Sequence, residues 1–346
     1  MGRSVDLLIP GLGWNTGLLR LGVSASRPQH LEGLLSRARP RAIPVKDLSE
    51  ILFQGFGVES SPNRDLPCGA VVSFALGRNP GDGVCALATP VHLLTDRDRL
   101  LLLRHEPRSL PDTQVRSLAE QFNTHFAATG MRVEVLSNTQ WVLMIDDLSN
   151  VTTSMLECVA GRHIDPYLPK GPDALSWHQF LNEIQMLFFQ SEVNQQRSVA
   201  GLLPVNGLWV SGVGSLPEVQ TSYRKVFAES ALAAGLAKLG GIPCEPSFRF
   251  NADEPLPEGA YLVVMSELME AEIDVHEDAW ISGLERIDQR LRQLIRTLDQ
   301  LDDRINLHTC DGRCFEVRAQ IRLLDRFRRR KTLDQLFGKP VQRSEF

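Results

Sequence analysis

Val5-Asp6-Leu7-Leu8-Ile9-Pro10-Gly11-Leu12-Gly13 decides the fold class of this chain. Val5, Leu7, Leu8 and Ile9 do not alternate with polar residues, so both faces of the segment are apolar. A strand of that kind is buried on two sides, as in a central parallel strand covered by helices. Pro10, Gly11 and Gly13 end the run and turn the chain into a loop. The expectation is an α/β fold with a mostly parallel sheet.

Working outward, residues 31–38 and 45–56 read as helices and 60–66 as a polar loop. From Cys68 to Arg104 the pattern favours strands, with apolar runs at 70–75 and 100–103 around the turn signal Asn79-Pro80-Gly81-Asp82-Gly83. Val115, Leu118, Ala119, Phe122 and Phe126 recur at helical spacing, and Gly130 can close that helix. Residues 132–136 and 141–145 read as paired strands. This block suggests a smaller α+β insert at 86–170 within a core formed by 1–85 and 171–346.

The core then resumes. A helix is expected from Ser176, with Gln179 completing a capping box and Trp177, Phe180, Leu181, Ile184, Leu187 and Phe188 as its buried stripe. The run after Asn206 reads as a buried strand, 224–239 as a helix stopped by Gly240-Gly241, and 261–265 as a strand. The longest helix is expected over 279–301. Its stripe of Ile281, Leu284, Ile287, Leu291, Leu294, Ile295, Leu298 and Leu301 is near heptad spacing. That stripe suits packing on the sheet, or alternatively a protein partner or second copy.

The chain has 346 residues, 43% of them hydrophobic and 23% charged, enough for a large core without metal or disulfide staples. A net charge of -5 gives no reason to expect nucleic acid or an anionic membrane as partner. No apolar stretch has membrane-spanning length. The opening MGRSVDLLIPGLGW carries one Arg and an apolar run too short for a secretory signal. A cytoplasmic protein with its six cysteines reduced is the expectation.

The segment from Asn182 to Pro217 carries the candidate chemistry. Arg197 offers a planar fork for carboxylate or phosphate, and Asn194 and Asn206 offer neutral donors and acceptors. Trp209 follows, and Gly212 and Gly214 let backbone amides approach a ligand. Together these six residues form a candidate anion-binding constellation at a strand end, where open α/β sheets place ligands. The competing reading is structural: Asn caps turns and Arg pairs with a neighbour. Thr152, Thr153 and Ser154 are candidate hydroxyl nucleophiles with no base adjacent in sequence. Asp274, His276 and Asp278 could hold a divalent ion, but acidic residues also favour the start of a helix. Cys310 and Cys314, with His308, could supply zinc ligands, yet Cys310-Asp311-Gly312-Arg313-Cys314 reads as a hairpin and lacks a second cysteine pair. The basic run Arg326-Phe327-Arg328-Arg329-Arg330-Lys331 reads as a solvated helix face or a partner contact. There is no Walker loop, nucleophile elbow or dinucleotide glycine motif.

Val193-Asn194 with Arg197, then Pro204-Val205-Asn206 with Leu208-Trp209, then Gly212 and Gly214 form an ordered series. Ala88-Thr89-Pro90-Val91-His92-Leu93, Asp96-Arg97-Asp98-Arg99-Leu100, Gly161-Arg162, Trp177-His178 and Leu181-Asn182-Glu183 accompany it. This set resembles a bacterial group of phosphoglycerate mutase-like, RpfE-type regulatory proteins over nearly the whole chain. That group is similar, more distantly, to archaeal-type cofactor-independent phosphoglycerate mutases of the alkaline phosphatase superfamily. The resemblance implies an alkaline phosphatase-like core and, in active members, two divalent metals such as Mn or Zn with a Ser or Thr nucleophile. This sequence departs from that pattern. Ile9-Pro10-Gly11 stands where an Asp-Gly pair would hold metal, and Ser191-Glu192 stands where His-Pro precedes Val-Asn. The resulting expectation is a degenerate, regulatory or ligand-binding protein for a small phosphorylated or carboxylate ligand. An active metal-dependent mutase or phosphatase with unconventional ligands is the alternative.

Overall fold

A computed structural model describes residues 2–21, 27–44, 47–62, 64–78, 80–81, 83–146, 150–246, 256–273, 275–298, 300–320 and 330–337. The chain forms two compact units, one of residues 1–57 with 219–346 and one of residues 58–218. Unit 1 opens with β1 (Ser4–Leu8), α1 (Gln29–Leu35), β2 (Arg39–Ala42) and α2 (Leu48–Gly55). Unit 2 contains α3 (Cys68–Ala75), β3 (Val84–Asp96), β4 (Arg99–Arg104), α4 (Asp112–His125), β5 (Arg132–Ser137), β6 (Gln140–Ile145), α5 (Leu156–Val159), α6 (Ala174–Phe189), α7 (Glu192–Val199) and β7 (Gly207–Gly214). Unit 1 then resumes with β8 (Tyr223–Phe227), α8 (Ala231–Leu239), β9 (Cys244–Glu245), β10 (Ala260–Val264), α9 (Glu267–Ile273), α10 (Glu277–Thr297), β11 (Arg304–His308), β12 (Arg313–Arg318) and α11 (Leu333–Phe337).

The sheet of unit 1 has the order β2-β12-β11-β1-β10-β8-β9. From β11 to β9 every pair is parallel, while β12 and β2 form an antiparallel edge. β1 is central, with Leu7 opposite Val263 on one side and Leu307 on the other. Its doubly apolar sequence fits that place: Val5, Leu7, Leu8 and Ile9 are wholly buried. Val5 and Leu7 share a core with Trp280, Leu284, Ile287, Leu291 and Leu294 of α10. The stripe of the long helix is thus used inside unit 1, and only Leu301, beyond the helix end, is largely exposed. The mixed α/β class with a mostly parallel sheet is as expected from sequence. No helix among the described residues is long and apolar enough to cross a membrane.

Unit 2 is built on the 13-residue strand β3. Its first half pairs with β6, its second half with β4, and β7 runs along its other edge. β5 adds to β6, and every pairing is antiparallel. One face is covered by a core shared by α4, α6 and α7, with Phe122, Phe180, Ile184 and Phe188 against Ala86, Ala88, Trp141 and Val210. The unit is wider than the expected insert at 86–170, because α3, α6, α7 and β7 belong to it.

Two elements differ from the sequence reading. Residues 70–75 are helical within α3, not a strand. Almost all of α3 is buried, so it has no polar face and an apolar run of its length gives no periodicity to read. Gly69 explains its seat: a Cβ there would lie 2.4 Å from the Ala86 Cα, so only glycine allows α3 so close to β3. Residues 224–227 are the end of β8 instead of the start of a helix, which begins after Ser230. Tyr223, Val226 and Phe227 are strand formers, and that local preference agrees with the parallel pairing to β10. In addition, α6 starts at Ala174 with Asp173 as its N-cap, so Ser176 lies inside the helix. Asn79 and Asp82 of the expected turn, and Arg326 to Arg329 of the basic run, lie outside the described residues.

Candidate functional site

The six residues singled out from Asn194 to Gly214 all lie in unit 2, and they bind their own chain. Asn194 donates to the carbonyls of Phe188 and Val205, both at 2.7 Å, and accepts from the Val205 N–H at 2.8 Å. Arg197 is 1% exposed. Its Nε donates to Leu203 O at 2.8 Å, and its Nη1 to Ser109 O at 2.7 Å and Gln114 Oε1 at 2.8 Å. Asn206 exchanges two bonds with the Leu93 backbone, at 2.6 and 2.9 Å. α7 and the start of β7 are thereby tied to α4 and β3. The acceptors around Arg197 are neutral, and burial lowers the pKa of its guanidinium.

Near that guanidinium, His105 is 7% exposed and has its pKa lowered to about 4 by burial, and further by Arg197 and His92. His92 itself bonds the Pro204 carbonyl through Nδ1 at 2.9 Å. His92 and Arg197 are thus both held by backbone carbonyls, of Pro204 and of Leu203 and Ser109.

Gly212 and Gly214 have a structural cause as well. Gly212 has a φ of +66°, and a Cβ there would stand 2.6 Å from the Cys68 Cβ. A Cβ on Gly214 would stand 2.8 Å from the Pro67 Cβ. Both glycines let α3 approach β7. The Gly212 N–H donates to Thr153 Oγ1 at 3.0 Å, while the Thr153 hydroxyl donates to Asp65. Asp65 also accepts from the backbone of Thr153 at 2.7 Å and Val213 at 3.1 Å. Burial raises the pKa of this carboxyl, and the hydrogen bonds it accepts work against that. Asp65 is the carboxylate beside Thr153 that sequence distance concealed, and its bonds fasten the bulged end of β7.

Trp209 is different. Its Nε1 donates to Ser154 O at 2.8 Å, and its ring lines a cavity of about 290 Å³. The apolar wall of the cavity is Trp209, Leu208, Leu93, Leu100, Ile164, Leu168 and Leu181. The polar lining is Asp98, Arg99, Asp165, His178, Asn182 and Gln185. Four separate segments converge here: the β3–β4 turn, the 164–168 loop, α6 and β7. The turn is tight enough to hold Arg97 at a φ of +56°. His178 Nε2 lies 2.9 Å from the Pro169 carbonyl, an acceptor only, so this nitrogen carries the proton. Asp98, Arg99 and Asp165 are exposed, and none has an ion-pair partner among the described residues. Asp98, Arg99, His178 and Asn182 stand in motifs of the sequence resemblance, yet the segment reading from Asn194 to Gly214 did not include them. A small signal existed: Asn182 and Gln185 lie off the buried stripe of α6.

In unit 1, the strand ends that the resemblance assigns to two divalent metals present a different chemistry. Pro10 offers no ligand, and Gly11 accepts a bond at its carbonyl from Trp280 Nε1 at 2.9 Å. Asp311 is held by Arg313 Nε at 3.1 and 3.2 Å. The Cys310 thiol is pushed strongly up by burial, then by Asp47, Asp311 and Glu272. Asp6, on β1, accepts from Tyr223 at 2.6 Å and Asn306 at 2.7 Å. Cys314 Sγ lies 3.8 Å from His308 Nε2, across an antiparallel pair that makes the expected hairpin. Asp278 is in the first turn of α10 and His276 caps it, whereas Asp274 lies outside the described residues. No three His, Cys, Asp or Glu side chains among the described residues are grouped to hold a metal ion.

No family model matches the chain, and no curated protein matches it. Among solved structures, it is similar to the PH0037 protein of Pyrococcus horikoshii, with a TM-score of 0.50 and 14% identity over 91% of this chain and 87% of that one. The two share a fold. A cofactor-independent phosphoglycerate mutase from Thermoplasma acidophilum matches with a TM-score of 0.40 and 17% identity, covering 92% of this chain and 89% of that one.

Proposed function

We propose that this chain is a degenerate phosphoglycerate mutase-like protein of the alkaline phosphatase type that works by binding a small anionic ligand in a regulatory role. Its ligand seat is the cavity of unit 2, with Arg99 as the anchor for a carboxylate or phosphate. The observation that carries this reading is the convergence of Asp98-Arg99-Leu100, His178, Leu181-Asn182 and Trp209, far apart in sequence, on one cavity. Apolar walls with a few polar groups at one side are the usual make-up of a small-molecule site. A cavity of about 290 Å³ suits a ligand of metabolite size.

The expected lack of mutase turnover rests on donor chemistry. Phosphoryl transfer in that superfamily uses metal to activate the nucleophile and to offset charge on the transferring group. Here Pro10 stands at the end of β1 and Asp311 is already paired with Arg313. Isothermal titration with 3-phosphoglycerate and with 4-methylpentanoate tests the reading. At least one should bind the wild-type protein, and Arg99→Ala should weaken it tenfold or more without changing the circular dichroism. Failure of both to bind, or equal binding by the variant, contradicts it. Mutase turnover in the presence of added Mn²⁺ would remove the non-enzymatic part.

A further inference from the structure

The charges on the cavity are more specific than a general anion site requires. We infer that the ligand is a zwitterionic α-amino acid with an apolar side chain, a conclusion that rests on the binding role proposed for this cavity. Three features of the lining lead there. Arg99 supplies a planar guanidinium, which suits a carboxylate in two-point contact. Asp98 and Asp165 supply two carboxylates, and none of these three has an ion-pair partner among the described residues. A dianionic phosphate facing one guanidinium would also face those two carboxylates, whereas an ammonium would be attracted by them.

The third feature is the wall. Trp209, Leu93, Leu100, Ile164, Leu168, Leu181 and Leu208 give an apolar surface without a charged group. An aliphatic side chain placed there leaves water, and its two opposite charges remain at the polar lining. A ligand with one charge leaves either the guanidinium or the carboxylates unanswered. Binding to both therefore separates the amino acid from its deaminated and decarboxylated analogues.

The test is isothermal titration of the full chain with L-leucine, 4-methylpentanoate and 3-methylbutylamine, repeated with Arg99→Ala and with Asp165→Asn. L-Leucine should bind at least tenfold more tightly than either analogue. Arg99→Ala should weaken L-leucine and 4-methylpentanoate but leave the amine unchanged, and Asp165→Asn should do the reverse for the amine. Unchanged thermal midpoints in both variants show that folding is not the cause. Equal binding of 4-methylpentanoate and L-leucine overturns the zwitterion while leaving the anion seat intact. Arg99-dependent binding of 3-phosphoglycerate with no response to L-leucine does the same. Silence toward every probe overturns both.

Discussion

The α7–β7 segment and the polar lining of the unit 2 cavity both concentrate polar side chains, and they use them in opposite ways. Asn194, Arg197 and Asn206 are satisfied by backbone carbonyls, backbone amides and Gln114. Asp98, Arg99 and Asp165 face solvent at a cavity with no ion-pair partner among the described residues. The first set holds a loop-rich connection onto the sheet, where each buried group left without a partner would be costly. The second set is available to a ligand. A distinctive polar motif in sequence therefore marks a demanding backbone path as readily as a binding site, and only the hydrogen-bond partners tell them apart.

The largest expected effect strikes the structural side. Arg197→Met keeps much of the side-chain volume but strands the acceptors on Leu203, Ser109 and Gln114. It should lower the unfolding free energy by about 4 kcal/mol in urea titrations. A loss below about 1 kcal/mol, with ligand affinity reduced, would move Arg197 to the binding side of the comparison.

Next is the pH response of the same buried region. His105 has its pKa lowered to about 4 in the fold, from an ordinary value of 6.5. The unfolded chain therefore binds the extra proton first as pH falls. The fold loses no stability from this group above pH 6.5, and the loss grows between 6.5 and 4 to about 3 kcal/mol at the acid end. His105→Gln keeps a donor but does not titrate. Its unfolding free energy should fall less steeply over that interval, as followed by denaturant titration at a series of pH values. Equal slopes would mean that other groups govern the acid response.

The smallest stability effect belongs to the cavity. Arg99 is exposed and its side chain makes no described bond, so Arg99→Ala should change stability by less than about 0.5 kcal/mol. A thermal melt with a larger loss would show that Arg99 belongs with the structural set.

How much of this was legible in the sequence follows from the range of the forces involved. β1 could be read because Val5, Leu7, Leu8 and Ile9 declare burial on both faces within five residues. α4 and α10 could be read because their apolar residues repeat at the helical period. α3 could not, since a helix buried all round has no such period, and its seat depends on Gly69 meeting Ala86 from another element. The width of unit 2 was hidden for the same reason: β7 pairs with β3 more than a hundred positions earlier in the chain. Of the cavity lining, Trp209 was among the residues singled out from sequence, but Asp98, Arg99, Asp165 and His178 become neighbours only through the β3–β4 turn, the 164–168 loop and α6. Asp65 and Thr153 likewise meet across 88 positions.

The most direct test of the central claim is the indole resonance of Trp209 in an ¹H–¹⁵N correlation spectrum, assigned by its disappearance in Trp209→Phe. During titration with 4-methylpentanoate and, separately, with 3-phosphoglycerate, that resonance should move progressively to saturation with at least one of them in the wild-type protein and barely move in Arg99→Ala. A stationary Trp209 resonance at saturating ligand, or the same shift in the Arg99→Ala protein, would contradict the account that this cavity is an anion seat anchored by Arg99.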